Sequence, residues 1–265
     1  MPTIGPRPLA GRRVVVTRPR AQVARFAALL EAYGAEVVAL PAIRLEPPTD
    51  WRPLDDAIAR LERYTWAVFT SVNGVAAFRG RLAAAGRNAG ALAGVRVAAI
   101  GPQTAAALAA DGVRADLVPD EYRAEGLVEA LRPHLTPGGE VLLVRAAEAR
   151  EVLPRALTAL GARVTVAPAY RAVAVREGAE RVVGLLEGRR VDVVSFTSSS
   201  TVRGFMELIG AGAVRRLLGG VVLAAIGPVT AATIAEYGLD VRVMPREYTI
   251  PALAAAIAAH FAGAA

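Results

Sequence analysis

The chain has 265 residues, 54% of them hydrophobic and 21% charged, with a formal net charge of +7. That length fits one large or two ordinary domains, and the apolar share excludes a disordered chain. There is no cysteine, and the two histidines, His134 and His260, stand far apart. Disulfides, thiolate nucleophiles, iron–sulfur clusters and thiolate zinc sites are thereby excluded, and a histidine-built metal site is not expected.

Every basic residue is arginine. This removes Walker and Schiff-base lysines and leaves a permanently cationic fork that suits carboxylates and phosphates. The same bias can also reflect genomic composition alone. The arginines are scattered and aromatics amount to 5%, so a nucleic-acid partner is not expected. The first residues carry no apolar leader segment. The longest charge-free stretch, Leu217 to Ala235, is broken by Gly219, Gly220, Gly227 and Pro228 and reads as strand, turn and helix. A cytoplasmic location without a membrane partner follows as the expectation.

In chain order, ten residues read as a loose tail. Val14 to Thr17 reads as a strand, and Arg20 to Tyr33 as a helix with Val23, Phe26, Leu29, Leu30 and Tyr33 on one face. Gly34 stops that helix. Glu36 to Leu40 is a strand closed by Pro41, and Trp66 to Thr70 is a strand followed by a helix. Val95 to Ile100 is a strand, Pro102 to Ala110 a helix, and Ala115 to Val118 a short strand ending at Pro119. Near-continuous apolar strands alternating with helices argue a parallel sheet covered on both faces.

The pattern then repeats. Val97–Tyr122 (VAAIGPQTAAALAADGVRADLVPDEY) matches Leu223–Tyr248 (LAAIGPVTAATIAEYGLDVRVMPREY) at an offset of 126. Trp66–Phe78 matches Asp192–Phe205, with Thr70 on Thr197, at an offset of 127. Val14–Arg44 matches Val141–Arg171, with Arg18 on Arg145 and Ile43 on Tyr170, again at 127. Segments in one order at nearly one offset predict a duplicated, five-stranded α/β unit. The offset leaves open whether the halves are contiguous or the first βαβ packs with the second half. Pro41, Pro47 and Pro48 mark one extended connection, and Pro168 to Ala172 its counterpart.

Sites in open α/β sheets lie beyond the carboxyl ends of strands. Four such ends here carry small hydroxyl or glycine residues before a helix: Thr70–Gly74, Gly101–Thr104, Thr197–Thr201 and Gly227–Thr230. Proline at the first helical position wastes no N–H. The free amides of the first turn favour an anion, although plain capping reads the same residues equally well. There is no G-x-G-x-x-G, Walker loop, G-x-S-x-G elbow or H-E-x-x-H. The candidate site is thus rich in donors and poor in titrating groups, which suits holding a reactive anionic substrate in shape. Tyr170 breaks the symmetry of the repeat. A phenol there can donate a proton to a leaving oxygen or serve as an ordinary amphipathic contact.

The block around Tyr170–Arg171, the T-S-x-x-x-V block at Thr197–Val202 and the A-A-I-G-P-x-T-A block at Ala224–Ala231 resemble the uroporphyrinogen-III synthase family, over about Gly11 to Phe261. The resemblance implies an α/β fold: two flavodoxin-like parallel-sheet domains, an internal duplication, joined by a two-stranded connector. The expected division is 1–40 with 173–265, then 48–166, with 41–47 and 167–172 as connector. It implies closure of hydroxymethylbilane, a linear tetrapyrrole with eight carboxylates, to uroporphyrinogen III with inversion of ring D and loss of water. It further implies no metal and no cofactor, and porphobilinogen deaminase as the substrate donor. By motif, Tyr170 matches the tyrosine that assists departure of the hydroxyl. Thr70, Ser71, Thr197, Ser198 and Ser199 match the T-S turns, and Gly101, Thr104, Gly227 and Thr230 the G-x-x-T turns. Arg18 is a strand-end arginine offered to substrate. Val229 stands where some relatives carry threonine, and Asn73 and Gly74 loosen the first T-S turn. Two other readings share the scaffold: a non-catalytic tetrapyrrole-binding or regulatory module, and a sugar- or amino-acid-binding two-domain protein, for which a secretion signal is expected.

Overall fold

A computed structural model describes residues 7–262. The strands in chain order are β1 (Arg13–Val16), β2 (Glu36–Ala39), β3 (Ile43–Glu46), β4 (Trp66–Phe69), β5 (Arg96–Ala99), β6 (Glu140–Ala146), β7 (Arg163–Ala174), β8 (Val193–Phe196) and β9 (Val222–Ala225). The chain divides into two compact units. One is the segment up to Arg44 together with everything from Val173 onward; the other is Leu45–Ala172.

In the first unit the sheet order is β2-β1-β8-β9. β1 pairs in parallel with β2 and also with β8, Val15 facing Val194. The first βαβ therefore joins strands from the second half of the sequence. Successive side chains of β1 feed opposite layers, as the period of a strand requires. Val14 and Val16 pack with Phe26, Leu30, Leu253 and Ile257, while Val15 packs with Phe205, Met206, Leu217 and Ile234. Burial on both faces is why these strands lack polar alternation.

The second unit repeats the plan with order β3-β7-β6-β4-β5. Its pairs β4–β5, β4–β6 and β6–β7 are parallel. Ala67 and Phe69 face Leu54, Phe78 and Leu108; Trp66 and Val68 face Leu127, Leu131 and Leu157. Each unit carries the same internal aromatic contact. Phe69 and Phe78 meet edge-to-face with centroids 5.1 Å apart, and Phe196 and Phe205 do the same at 5.4 Å. Such a pair adds about 0.5–1.5 kcal/mol beyond its burial.

Two expectations need correction. The loose N-terminal tail lies outside the described residues over 1–6, but Leu9 is fully buried, and its N–H donates to the Tyr33 carbonyl at 3.0 Å. Leu9 is held because it fills the layer built on Phe26 and Leu30. The short strand at Ala115–Val118 is a single bridge, Ala98 to Leu117, and its repeat is Ala224 to Val243. In the second unit the Asp116 carboxylate accepts the Val97 N–H at 2.7 Å. There a side chain takes a bond that a backbone carbonyl would supply in a ladder, while the repeat, with Arg242 at the matching position, is a single bridge without it. The charge-free stretch resolves as expected into strand β9, a turn and the helix Pro228–Ala235. Among the described residues, no helix is long and apolar enough to cross a membrane.

Candidate active site

The turns beyond the strand ends divide into two kinds. Ser71 is the N-cap of the helix Val72–Ala84, its Oγ accepting the Gly74 N–H at 3.0 Å. Ser198 caps Ser199–Ile209 in a reciprocal box with Thr201, satisfying two amides that the helix would otherwise leave bare. Thr70 donates to the Val144 carbonyl at 3.3 Å, and the Thr197 N–H donates to Thr201 Oγ1 at 3.3 Å. Ser199 accepts from the Thr233 hydroxyl at 2.7 Å, tying two helices together. For Ser71 and Ser198, capping is thus an actual role. The second kind is the glycine–proline start. Gly101 and Gly227 are N-caps in extended backbone, and no side chain caps either helix. Thr104 and Thr230 stand at the third helical position and are each only 4% exposed.

Tyr170, on β7, meets the first T-S turn. Its hydroxyl donates to Ser71 Oγ at 3.1 Å, and the Asn73 side chain also bonds the phenol. Burial pushes the Tyr170 pKa up; the hydrogen bonds that Ser71 and Asn73 can give the phenolate act the other way, and the charge of Glu148 raises it further. The group is a protonated acid through the neutral range. Its backbone is pinned as well. The Tyr170 carbonyl accepts the Ala147 N–H at 2.8 Å, and the Ala172 N–H donates to the Glu148 carboxylate at 3.2 Å. Arg171 pairs with Glu46 at 2.6 Å. A serine hydroxyl has one proton to donate. Ser71 Oγ accepts from both Gly74 and Tyr170, so its own proton is left to be aimed elsewhere.

Arg18 follows β1. Its Nη2 donates to Gln22 Oε1 at 2.7 Å, and its Nε, like those of Arg145 and Arg171, is buried without a partner. Burial, and then the charge of Arg25, lower its proton affinity. A guanidinium stays charged in proteins, so this is a partly buried cation with no carboxylate beside it among the described residues. Its repeat counterpart Arg145, 6% exposed, is neutralised by Glu151 and donates to the Arg150 carbonyl at 3.1 Å. One strand-end arginine is spent on structure and the other is not.

Sequence reasoning missed Glu148 and the Glu46–Arg171 pair, and took Asn73 only as a loosening of its turn. Asn73 and Glu148 act on Tyr170 through space, and only the odd asparagine in T-S-V-N-G signalled one of them. His134 and His260 are both exposed. The His134 carbonyl accepts from Trp66 and Arg96, a packing role.

A family model described as uroporphyrinogen-III synthase HemD matches residues 24–255. The uroporphyrinogen-III synthase of Synechococcus elongatus is 36% identical over 94% of this chain and 96% of its own length. That of Chlorobaculum parvum is 31% identical over 93% of this chain and 98% of its own. Among solved structures, a mutant uroporphyrinogen III synthase of Thermus thermophilus superposes with a TM-score of 0.71 at 24% identity, covering 95% of this chain and 99% of that one. The last of these bears on the fold; the matches in sequence, run over nearly the full length, establish that the chain belongs to the uroporphyrinogen-III synthase family.

Proposed function

We propose that this chain is a uroporphyrinogen-III synthase, closing hydroxymethylbilane to uroporphyrinogen III with loss of water and inversion of ring D. The observation that carries the reading is the protonated Tyr170 phenol, held by Ser71 and Asn73 at a strand-end turn in a chain of this family. The substrate loses hydroxide from a carbon next to an electron-rich pyrrole. Modest acid help is enough, because the resulting azafulvene cation is stabilised by the ring. Tyr170, through its hydrogen bond to Ser71, supplies that help to the departing oxygen. The terminal pyrrole then attacks through its substituted carbon, and the spiro intermediate rearranges. The protein's larger task is conformational, since unassisted closure gives the unflipped isomer.

Eight carboxylates need cationic and amide donors rather than many titrating groups. Arg18 is the cation best placed to take one, since a carboxylate would relieve its burial. The uncapped starts at Gly101 and Gly227 offer amides, each contact contributing about 0.3–1 kcal/mol. Thr104, Thr230, Thr70, Thr197, Ser198 and Ser199 complete the proposed binding set, in part by shaping these turns. Substrate supply by porphobilinogen deaminase, a cytoplasmic location and cofactor-free turnover belong to the same reading.

The test is a coupled assay in which porphobilinogen deaminase generates hydroxymethylbilane and the isomers are separated after oxidation. The reading expects type III product in proportion to added protein. Type I product alone would identify a binding module instead.

A further inference from the structure

Five large apolar side chains are exposed among the described residues: Val72, Val118, Tyr122, Met244 and Tyr248. Four of them form two repeat-related pairs, Val118 with Met244 and Tyr122 with Tyr248. All follow strand ends. Val72 comes just after β4, Val118 and Tyr122 follow the Ala98–Leu117 bridge, and Met244 and Tyr248 follow the Ala224–Val243 bridge. The large apolar side chains that stand most exposed in each unit therefore lie on the carboxyl rim of its sheet. Scattered single apolar residues need no explanation, but rim-confined and duplicated ones do.

The tyrosines are seated with care. A Cβ on Gly101 would stand 3.3 Å from Tyr122 Cβ and Cγ, and a Cβ on Gly227 would stand 3.1 Å from Tyr248 Cγ. Both glycines have extended backbone that any residue adopts, so the close approach of the ring is the reason for glycine there. Each ring rests on bare backbone while 41% of Tyr122 and 37% of Tyr248 stay exposed. Neither phenol has a hydrogen-bond partner among the described residues, so these tyrosines are not held for a polar bond within the protein. The feature recurs in both halves, whereas the Tyr170 position does not.

We propose that Tyr122 and Tyr248 are pyrrole-binding residues, each offering an aromatic shelf to one ring of the linear tetrapyrrole at the rim of its own unit. The inference rests on the function proposed above and extends it, because cations and amides recognise the carboxylates but leave the rings unread. A pyrrole is flat and electron-rich and carries an N–H, which suits stacking or an N–H donated to the tyrosine face. Gripping rings as well as charges is what selecting one fold of the bilane requires.

The experiment compares Tyr122→Ala, Tyr248→Ala and the matching phenylalanine variants. Two non-reacting probes are titrated against intrinsic fluorescence: uroporphyrin I, which has rings and eight carboxylates, and benzenehexacarboxylate, which has the charge without pyrroles. Each alanine variant is expected to weaken uroporphyrin binding about fivefold and to leave benzenehexacarboxylate binding at the wild-type level. In turnover, the alanine variants should raise KM and the fraction of type I product, and phenylalanine should recover most of the loss. Equal weakening toward both probes, or unchanged uroporphyrin binding in both alanine variants, overturns the shelf. The wild-type isomer ratio judges the parent reading separately. Type III product from wild type with indifferent alanine variants removes the shelf and leaves the synthase.

Discussion

The Tyr170 hydroxyl donates to Ser71 Oγ across 3.1 Å, and that same oxygen caps the helix Val72–Ala84 by accepting the Gly74 N–H. The proposed acid is thereby referenced to a helix start. Tyr170→Phe removes one partly buried hydroxyl and should lower turnover by about 10- to 100-fold, at the low end of general-acid effects because the leaving group ionises readily. The fold should lose no more than about 1 kcal/mol. Isomer-resolved kinetics and a denaturation curve check both halves, and unchanged turnover would remove Tyr170 from the mechanism.

The pH response has a definite sign. Burial raises the Tyr170 pKa above the ordinary tyrosine value of 10.0. A group whose folded pKa is raised contributes stability that is present below the unfolded value and lost as pH rises through the folded one. Turnover should therefore show no tyrosine-dependent fall between neutral pH and about 10, with stability declining above it. Tyr170→Phe should flatten part of that alkaline decline. A tyrosine ionisation seen by ultraviolet absorbance in the neutral range, and absent from the phenylalanine variant, would contradict this.

Ser71 carries two jobs that substitution can separate. Ser71→Ala loses the cap, costing about 0.5–2 kcal/mol, and also releases the phenol. Asparagine caps a helix as well as serine does but has no hydroxyl. Ser71→Asn should thus melt close to wild type while turning over more slowly, and Ser71→Thr should restore both. If Ser71→Asn is as active as wild type, the serine serves the helix alone.

The repeat arginines should part company in the same way. Arg145 is neutralised by Glu151 and bonded to the Arg150 carbonyl. Arg145→Gln should therefore cost about 1–3 kcal/mol and act on the loop that pins Tyr170. Arg18 bonds Gln22 and has no carboxylate beside it among the described residues. Arg18→Gln should leave stability nearly unchanged or improve it, raise KM, and weaken the dependence of kcat/KM on salt. Loss of stability at Arg18 equal to that at Arg145 would mark both as structural.

Much of this was legible in the sequence because the duplication prints itself twice. The strands at Val14, Trp66 and Val95, the helix from Arg20 and the strand-end turns all follow from apolar period and from glycine and proline placement. The partners of Tyr170 did not. Ser71 and Asn73 lie about a hundred positions away, and Glu148 reaches the same segment from a loop with no motif. The fate of Arg18 and Arg145 was equally hidden, since one glutamate at 151 decides which of two matched residues is neutralised.

The duplicated aromatic contact allows the two units to be followed independently. Trp51 and Trp66 are the chain's two tryptophans, and both lie in Leu45–Ala172. Indole fluorescence therefore reports on the unit that contains Phe69 and Phe78. Truncating a buried phenylalanine costs about 3–5 kcal/mol. Phe78→Ala should move the fluorescence transition to lower denaturant, while Phe205→Ala, in the other unit, should move the circular-dichroism transition and leave the fluorescence midpoint behind. Coincident shifts of both probes in both variants would show that the units unfold as one cooperative body, and the division of the chain at Arg44 and Val173 would then have no thermodynamic counterpart.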